Sequence, residues 1–306
     1  MVLVDDASED SSFEIAKAFV DEDSRFILIK NTKRQRQGKA KNQAIDYIIR
    51  GGQQRVSKPC VFGKKRFERC DYIFFLDSDD LLTKDALATL ANIAKDKKPD
   101  VVLSSIKIFG EYDKTIIYDE GYKSKDSVLK NARYFSFGCG GLIAINLFEN
   151  GLRFVDSIYM VNDDNFFGLY VFLNASRIYY SSHICWHVRI HYGSTSHKGS
   201  YHLNGDDALY HTYFLNAYHI KSLIKEHNKY EKILRFNATY NANAFIAMSN
   251  KLNIYDKERI NHIKDLVSIK YKIFILSPSI FKMLKNTWGV IKRLPNLQKN
   301  GLGDIP

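Results

Sequence analysis

Apolar and polar positions fall into alternating blocks along the first half of the chain, and the blocks follow two different periods. Val2-Leu3-Val4 is a short buried strand, and a polar turn from Asp5 to Asp10 follows it. Phe13–Val20 has helical spacing behind Ser11 and Ser12, either of which can cap the helix. Arg25–Ile29 reads as a second strand. Lys39–Arg50 places Ala40, Ala44, Ile45, Ile48 and Ile49 on one helical face. Tyr72–Leu76 and Val101–Ser105 are predicted as further strands, with a helix at about Lys84–Lys95 between them. Such alternation predicts a mostly parallel sheet with helices on both faces.

The pattern changes twice. Between Arg50 and Asp71 a Gly-Gly, Lys/Arg-rich segment has no period and reads as a surface loop. After Phe135 the chain turns aromatic and glycine-rich, then helical over Leu142–Glu149. Beyond about Tyr201 helical spacing recurs through His202–Leu223, Tyr230–Met248, Lys257–Ile269 and Ser279–Leu294. The expected organisation is an α/β domain over residues 1–200 and a basic helical region over 201–306.

Composition narrows the class. At 306 residues and 45% hydrophobic content the chain supports a sizeable core. No apolar run reaches bilayer length. Cys60, Cys70, Cys139 and Cys185 lack metal-ligand or redox spacing, so reduced thiols and a cytoplasmic location are expected. The formal charge is +11, and from Lys221 onward sixteen Lys/Arg face six Asp/Glu, 16 − 6 = +10. A tail this basic suits an anionic membrane surface or a phosphate-bearing substrate. No zinc-finger, RNA-binding or helix-turn-helix pattern accompanies it, so nucleic acid is not an expected partner.

Three acidic clusters each follow a strand or open a helix: Asp5-Asp6, Asp77-Ser78-Asp79-Asp80 and Asp163-Asp164. Each alone is explained as a turn or N-cap. In a doubly wound sheet, however, strand ends converge on one edge, where ligands bind. Crowded carboxylates there call for a cation, and hard divalent ions prefer oxygen ligands.

Five segments, in order, resemble the bacterial family 2 glycosyltransferases of GT-A fold. Val4-Asp5-Asp6-Ala7-Ser8-Glu9-Asp10-Ser11 is similar to the family's Val-Asp-Asp-Gly-Ser-Thr-Asp-Ser turn, and Gly38–Ile45 to its Ala-Arg-Asn helix start. Asp77-Ser78-Asp79 matches Asp-X-Asp, and Asn162–Phe166 stands where the family has Glu-Asp-X-X-Phe. His187-Val188-Arg189 and Gly193-Ser194-Thr195 resemble its closing motifs. The likeness covers about Val2–Ser196.

The resemblance implies inverting transfer of a hexose or N-acetylhexosamine from a UDP-sugar donor to a hydroxyl of a cell-surface glycan or glycolipid acceptor, such as lipopolysaccharide or capsule. By position, Asp6 would hydrogen-bond the uracil and Asp5 support that turn; Lys41 would steady the phosphates. Asp79 would bind Mn²⁺ or Mg²⁺, with Asp77 close to ribose and metal, and His187, His191 or His197 would offer a third metal ligand. Asp163 falls at the family's general base, with Asp164 the alternative. Trp186 and Phe137 are candidates to stack on a sugar, or core residues. The basic segment Tyr271–Leu294 is expected to lie peripherally on the inner face of the cytoplasmic membrane.

The chain departs from the family at its start, which corresponds to the family's second strand. The expectation is that Val2–Val4 and Tyr72–Leu76 lack a shared neighbour strand. A catalytically impaired transferase or a non-catalytic interaction module is therefore the rival reading. Ala7 replaces the family's glycine and sits without strain only at negative φ. Asn162 replaces its glutamate.

Overall fold

The computed structural model describes residues 1–51, 60–63, 70–131, 141–157, 163–191, 205–268, 271–272 and 275. Its chain divides into two compact units, Met1–Ala208 and Leu209–Pro306.

The first unit is α/β. Strand β1 (Val2–Asp5) pairs in parallel with β2 (Ile27–Lys30), across helix α1 (Ser12–Glu22). A helical crossover is the usual way to connect parallel neighbours, and α1 supplies it. Neither serine caps α1; Asp10 Oδ1 accepts the Ser12 N–H at 3.0 Å instead. Helix α2 (Gln37–Ile49) buries Ala40 and Ile45 and packs against β1. The Lys/Arg-rich segment expected to be loop contains strand β3 (Cys60–Gly63), antiparallel to β2. Its half-exposed edge position leaves no alternation for a sequence to show.

A second sheet carries β4 (Tyr72–Phe74), β5 (Leu81–Leu82), β6 (Val101–Gly110), β7 (Lys114–Ile116), β8 (Gly121–Lys123), β9 (Gly141–Ala144) and β10 (Ile178–Ile190). The path runs β4-β9-β6-β10-β5, with β7 on β6 and β8 on β10. Helix α3 (Ala86–Lys97) covers one face; α4 (Lys125–Asn131), α5 (Ile145–Glu149) and α6 (Asp163–Asn174) complete the unit. The helix expected over Leu142–Glu149 is a strand followed by α5, because a continuous apolar run carries no period to separate the two.

The α/β class agrees with the expectation, but strand directions differ from a mostly parallel sheet. Only β1·β2 and β6·β10 run parallel among the described strands; β3, β4, β5, β7, β8 and β9 pair antiparallel. Among the described residues β1 is bonded to β2 alone and β4 to β9 alone, so each keeps one edge without a strand partner, as expected. Such edges hold their amides and carbonyls out of a ladder.

Strand β10 has two register shifts against β6, between Ser181 and Ile184 and between Ile184 and Trp186. The buried Ser105 hydroxyl donates to Ser181 O at 2.9 Å and accepts Tyr118 N–H at 2.9 Å, so the irregular stretch keeps its polar groups bonded. Bulges of this kind re-aim the side chains that follow, here those from Trp186 to His191.

Helix α7 (Gly205–Glu226), which belongs to the second unit from Leu209 on, leads through a 3₁₀ turn to α8 (Glu231–Leu252) and α9 (Lys257–Ile263). Leu234, Ala238, Ala242, Phe245 and Ile246 bury one face of α8 at helical spacing. Asp256 caps α9 by accepting the Arg259 N–H at 3.0 Å. The expected helix over Ser279–Leu294 lies outside the described residues. No helix of the described residues is long and apolar enough to cross a membrane.

Candidate active site

An aromatic cluster sets the floor of the site. Phe75 meets Phe148, Phe154 and Phe167 edge-on at 5.3–6.0 Å between ring centroids, and Phe154 stacks on Phe167 at 3.6 Å. Phe75 ends the apolar core of the β4 segment, and the chain turns immediately beyond it: Asp80 N–H bonds Asp77 O at 3.2 Å. The acidic turn therefore projects from a rigid base.

Helix α2 is tied to the same base. Asn42 donates to Phe154 O and accepts from Phe154 N–H, both at 2.9 Å, and Arg153 reaches Asp46 at 2.9 Å. One turn earlier, Gln37 Nε2 donates to Asp77 Oδ1 at 2.7 Å, and the Lys41 ammonium lies 3.1 Å from the same oxygen. Gln37 and Lys41 are four apart and share a helix face. Lys41 is not a solvated lysine: its side chain is 12% exposed, with the ammonium 5.2 Å from the Phe154 ring centroid. Asp77 is thus neutralised by a protein cation.

Its neighbours do other work. Asp79 Oδ2 lies 3.3 Å from His191 Nε2, both about half exposed. Asp80 accepts the Trp186 indole N–H at 2.8 Å and the Arg189 backbone N–H at 2.9 Å. Burial pushes the Asp80 carboxyl up to about 6, and the nearby Asp79 and Asp77 charges push the same way against those two hydrogen bonds. Trp186 is 9% exposed, bound to Asp80 and packed in the sheet, so the core alternative holds for it.

The β1 turn gives its two carboxylates different partners. Asp6 Oδ1 accepts Asn31 Nδ2–H at 2.9 Å and Gln35 N–H at 2.8 Å, and Oδ2 accepts Arg36 N–H at 2.8 Å. It fastens the β2–α2 loop, and most of its acceptor capacity is used inside the protein. Asp5 is 7% exposed; its Oδ1 accepts Ser8 N–H at 3.3 Å, while Oδ2 is buried with no hydrogen-bond partner. The carboxylate oxygen without a hydrogen-bond partner is on Asp5, a residue the resemblance casts as support. Two strained residues flank this turn. Ala7 has φ +62°, contrary to the negative φ that would make it strain-free. Arg36 has φ +74° and ψ +163°, a region otherwise left to glycine.

His187, expected as a metal ligand, pairs in register with Leu81 and turns its ring toward Phe109 at 6.4 Å. His191 takes the place beside Asp79, because it lies just past the end of β10 where the chain is free of the ladder. Asp163 opens α6, but its side chain lies outside the described residues, as do Phe137 and His197. Asp164 is half-buried in the same first turn. Gln37 carries a bond here that no residue-type pattern singled out, and Asn42 and Asp80, though part of segments singled out by sequence, are given no role of their own there.

The fold is of the GT-A type. The crystal structure of S. aureus TarS 1-349 superposes with a TM-score of 0.57 at 16% identity, over 94% of this chain and 81% of that one. The same TarS segment in complex with UDP-GlcNAc gives 0.54 at 16% identity, over 94% and 82%. Residues 1–49 match the family model described as Glycosyl transferase family 2. The glycosyltransferase GlyG of Streptococcus pneumoniae serotype 4 is 28% identical over 113 residues, 37% of this chain and 31% of that protein. The poly(ribitol-phosphate) beta-N-acetylglucosaminyltransferase TarP of Staphylococcus aureus is 29% identical over 73 residues, 23% of this chain and 22% of that protein. The chain is thus similar to bacterial glycosyltransferases, and the family 2 model matches its first 49 residues. It spans about a third or less of the length of the curated relatives it matches.

Proposed function

We propose that this chain transfers a hexose or N-acetylhexosamine from a UDP-sugar to a hydroxyl of a cell-surface glycan, inverting the anomeric configuration. The observation that carries this reading is the division of the acidic turn: Asp77 held by Lys41 and Gln37, and Asp79 facing His191 at 3.3 Å. Among the described residues no three His, Cys, Asp or Glu are grouped to hold a metal by themselves. Two protein donors suit an ion that completes its shell with diphosphate oxygens and water, the usual habit of Mg²⁺ and its relatives. The donor set therefore fits, and Asp79 and His191 would hold Mn²⁺ or Mg²⁺. A bound ion there supplies Lewis-acid stabilisation of the departing diphosphate.

The chain's own groups divide the remaining work. Asp5 Oδ2 is the acceptor offered to the N–H of the donor's base. Lys41 stands ready to share its charge between Asp77 and a phosphate oxygen. Asp163, by its place in the motif, takes the acceptor hydroxyl proton as that oxygen attacks opposite the diphosphate. TarS has been captured with UDP-GlcNAc and TarP is named for a phosphate-linked polymer, so UDP-GlcNAc and an anionic acceptor are the first to try. The +10 excess over the last third supports such an acceptor, or an anionic membrane surface.

The test is a panel of UDP-sugars with and without Mn²⁺, read by melting temperature and by release of UDP. Ligand at about 100 times its dissociation constant adds roughly 2.7 kcal/mol of stability. One donor is expected to raise the melting temperature only with metal, and Asp79→Ala to remove that rise. If no UDP-sugar shifts the transition in Mn²⁺, the reading fails; binding without turnover would favour the non-catalytic rival.

A further inference from the structure

We infer that Asp80 is a positioning residue: it locks the end of β10 to the acidic turn and thereby sets His191 opposite Asp79. The inference rests on the reading above that Asp79 and His191 share an ion.

The lock is visible in the strand register. Strand β5 pairs antiparallel with β10, Trp186 opposite Leu82 and His187 opposite Leu81. Carried further, that register would set Val188 opposite Asp80 and Arg189 opposite Asp79. The chain instead turns away at this point, since Asp80 N–H is bonded back to Asp77 O. The Arg189 N–H, deprived of a ladder carbonyl, is taken by the Asp80 side chain at 2.9 Å. The second Asp80 oxygen takes the Trp186 indole N–H at 2.8 Å. Both oxygens of one carboxylate thus grip β10, at positions three residues apart.

The other side of β10 is held as tightly. Ile190 O accepts the Glu111 N–H at 3.1 Å, and Gly110 has φ +117° where a Cβ would stand 2.1 Å from Ile190 O. Only glycine permits that approach. His191 follows directly, so its backbone leaves the strand from a point fixed on both flanks. Asp79, bonded in sequence to Asp80, is fixed by the same grip.

The choice of aspartate follows from the chemistry. Two N–H donors must be accepted at once, and an asparagine would turn an NH₂ group toward one of them. The carboxylate is retained although burial and two neighbouring carboxylates oppose its charge. Groups behind the ligands of a metal commonly govern affinity by about 10–100-fold through orientation alone.

The experiment titrates Mn²⁺ into the whole chain saturated with UDP, following free Mn²⁺ by its electron paramagnetic resonance signal. Asp79→Ala and His191→Ala are expected to weaken Mn²⁺ binding. If both bind as the parent does, the ion reading itself falls and takes this inference with it. If they weaken it, Asp80→Ala is expected to weaken Mn²⁺ binding about tenfold, and less than twofold when His191 is already alanine. An equal loss in both backgrounds would mean that Asp80 acts on the ion directly, and overturns the inference. So does unchanged affinity in Asp80→Ala. Trp186→Phe, which removes one of the two donors and cannot ligate metal, covers a failure of Asp80→Ala to fold. It is expected to weaken Mn²⁺ binding at least about threefold at nearly constant urea midpoint, and unchanged affinity again overturns the inference.

Discussion

The two adjacent carboxylates after β1 should separate stability from binding when each is removed. Asp6 accepts three N–H groups, from Asn31, Gln35 and Arg36, and so joins the end of β1 to the start of α2. Hydrogen bonds to a charged group are worth about 1.5–3 kcal/mol each when buried. Here water can reach the half-exposed Gln35 and Arg36 amides once the carboxylate is gone, so Asp6→Ala is expected to cost about 2–4 kcal/mol rather than the full sum. Part of that loss is returned by relaxing Arg36, whose conformation costs about 1–3 kcal/mol. Asp5→Asn should behave in the opposite way. Its Oδ2 is buried with no partner, a situation that costs about 1–3 kcal/mol in the ligand-free protein. Neutralising it is expected to leave stability within about 1 kcal/mol of the parent or to raise it, while UDP affinity falls at least about tenfold, or 1.4 kcal/mol. The assay is urea unfolding without ligand, at constant slope, beside UDP titration calorimetry. An Asp6→Ala variant with unchanged urea midpoint and no UDP binding, together with an Asp5→Asn variant that binds UDP as the parent does, would refute the division.

Other predictions follow from strained or charged groups nearby. Ala7 sits at φ +62°, so Ala7→Gly is expected to raise unfolding free energy by about 0.5–1 kcal/mol in the same urea assay. Lys41→Met leaves Asp77 without its cation and is expected to lower UDP affinity about tenfold, measured by calorimetry. Asp80 has a folded-state carboxyl raised from 3.8 to about 6, so the folded chain holds its proton where the unfolded chain has lost it. Its contribution is therefore full below about pH 4 and is lost as pH rises through about 6. After discounting for partial exposure this amounts to about 1–2 kcal/mol, visible as a stability slope that Asp80→Asn removes. In a Trp288→Phe background, Trp186 fluorescence should titrate with the same midpoint, because its indole N–H donates to that carboxylate.

What a sequence can show here depends on whether period or register decides the outcome. Helices α1, α2 and α3 and strands β2 and β6 follow from apolar spacing, because each buries one face or a continuous run. Strand β3 does not, since its residues are only partly covered and lie in a lysine-rich segment. Strand β9 merges with α5 into one apolar run. Strand direction is a matter of long-range pairing, so the prevalence of antiparallel neighbours left no local trace. The three acidic clusters were legible as candidates, but their roles were not. Whether Asp5 or Asp6 keeps a free oxygen depends on where the β2–α2 loop places its amides. That His191 rather than His187 lies beside Asp79 depends on a register that two bulges in β10 had already displaced. The second unit was legible as a run of helices, because α7 and α8 are long and strongly periodic.

A common logic runs through the pairs and extends to the third. In Asp5-Asp6 and in Asp79-Asp80 the second carboxylate is consumed by protein N–H groups, and the first keeps an oxygen that is buried without a hydrogen-bond partner or faces a single titratable partner. Adjacent residues in an extended or turning backbone point to opposite sides, so one can be an internal fastener while the other faces a ligand. Asp163-Asp164 opens α6, and Asp164 is half-buried in the first turn. Under the proposed function Asp163 is the base, and Asp164 is the candidate fastener. Asp163→Asn is then expected to lower kcat by about 10²–10⁴ with little change in UDP-sugar affinity, the range for loss of a general base. Asp164→Asn should shift the urea midpoint more than kcat. Single-turnover rates separate the two, and a larger loss of the chemical step in Asp164→Asn would reverse the assignment.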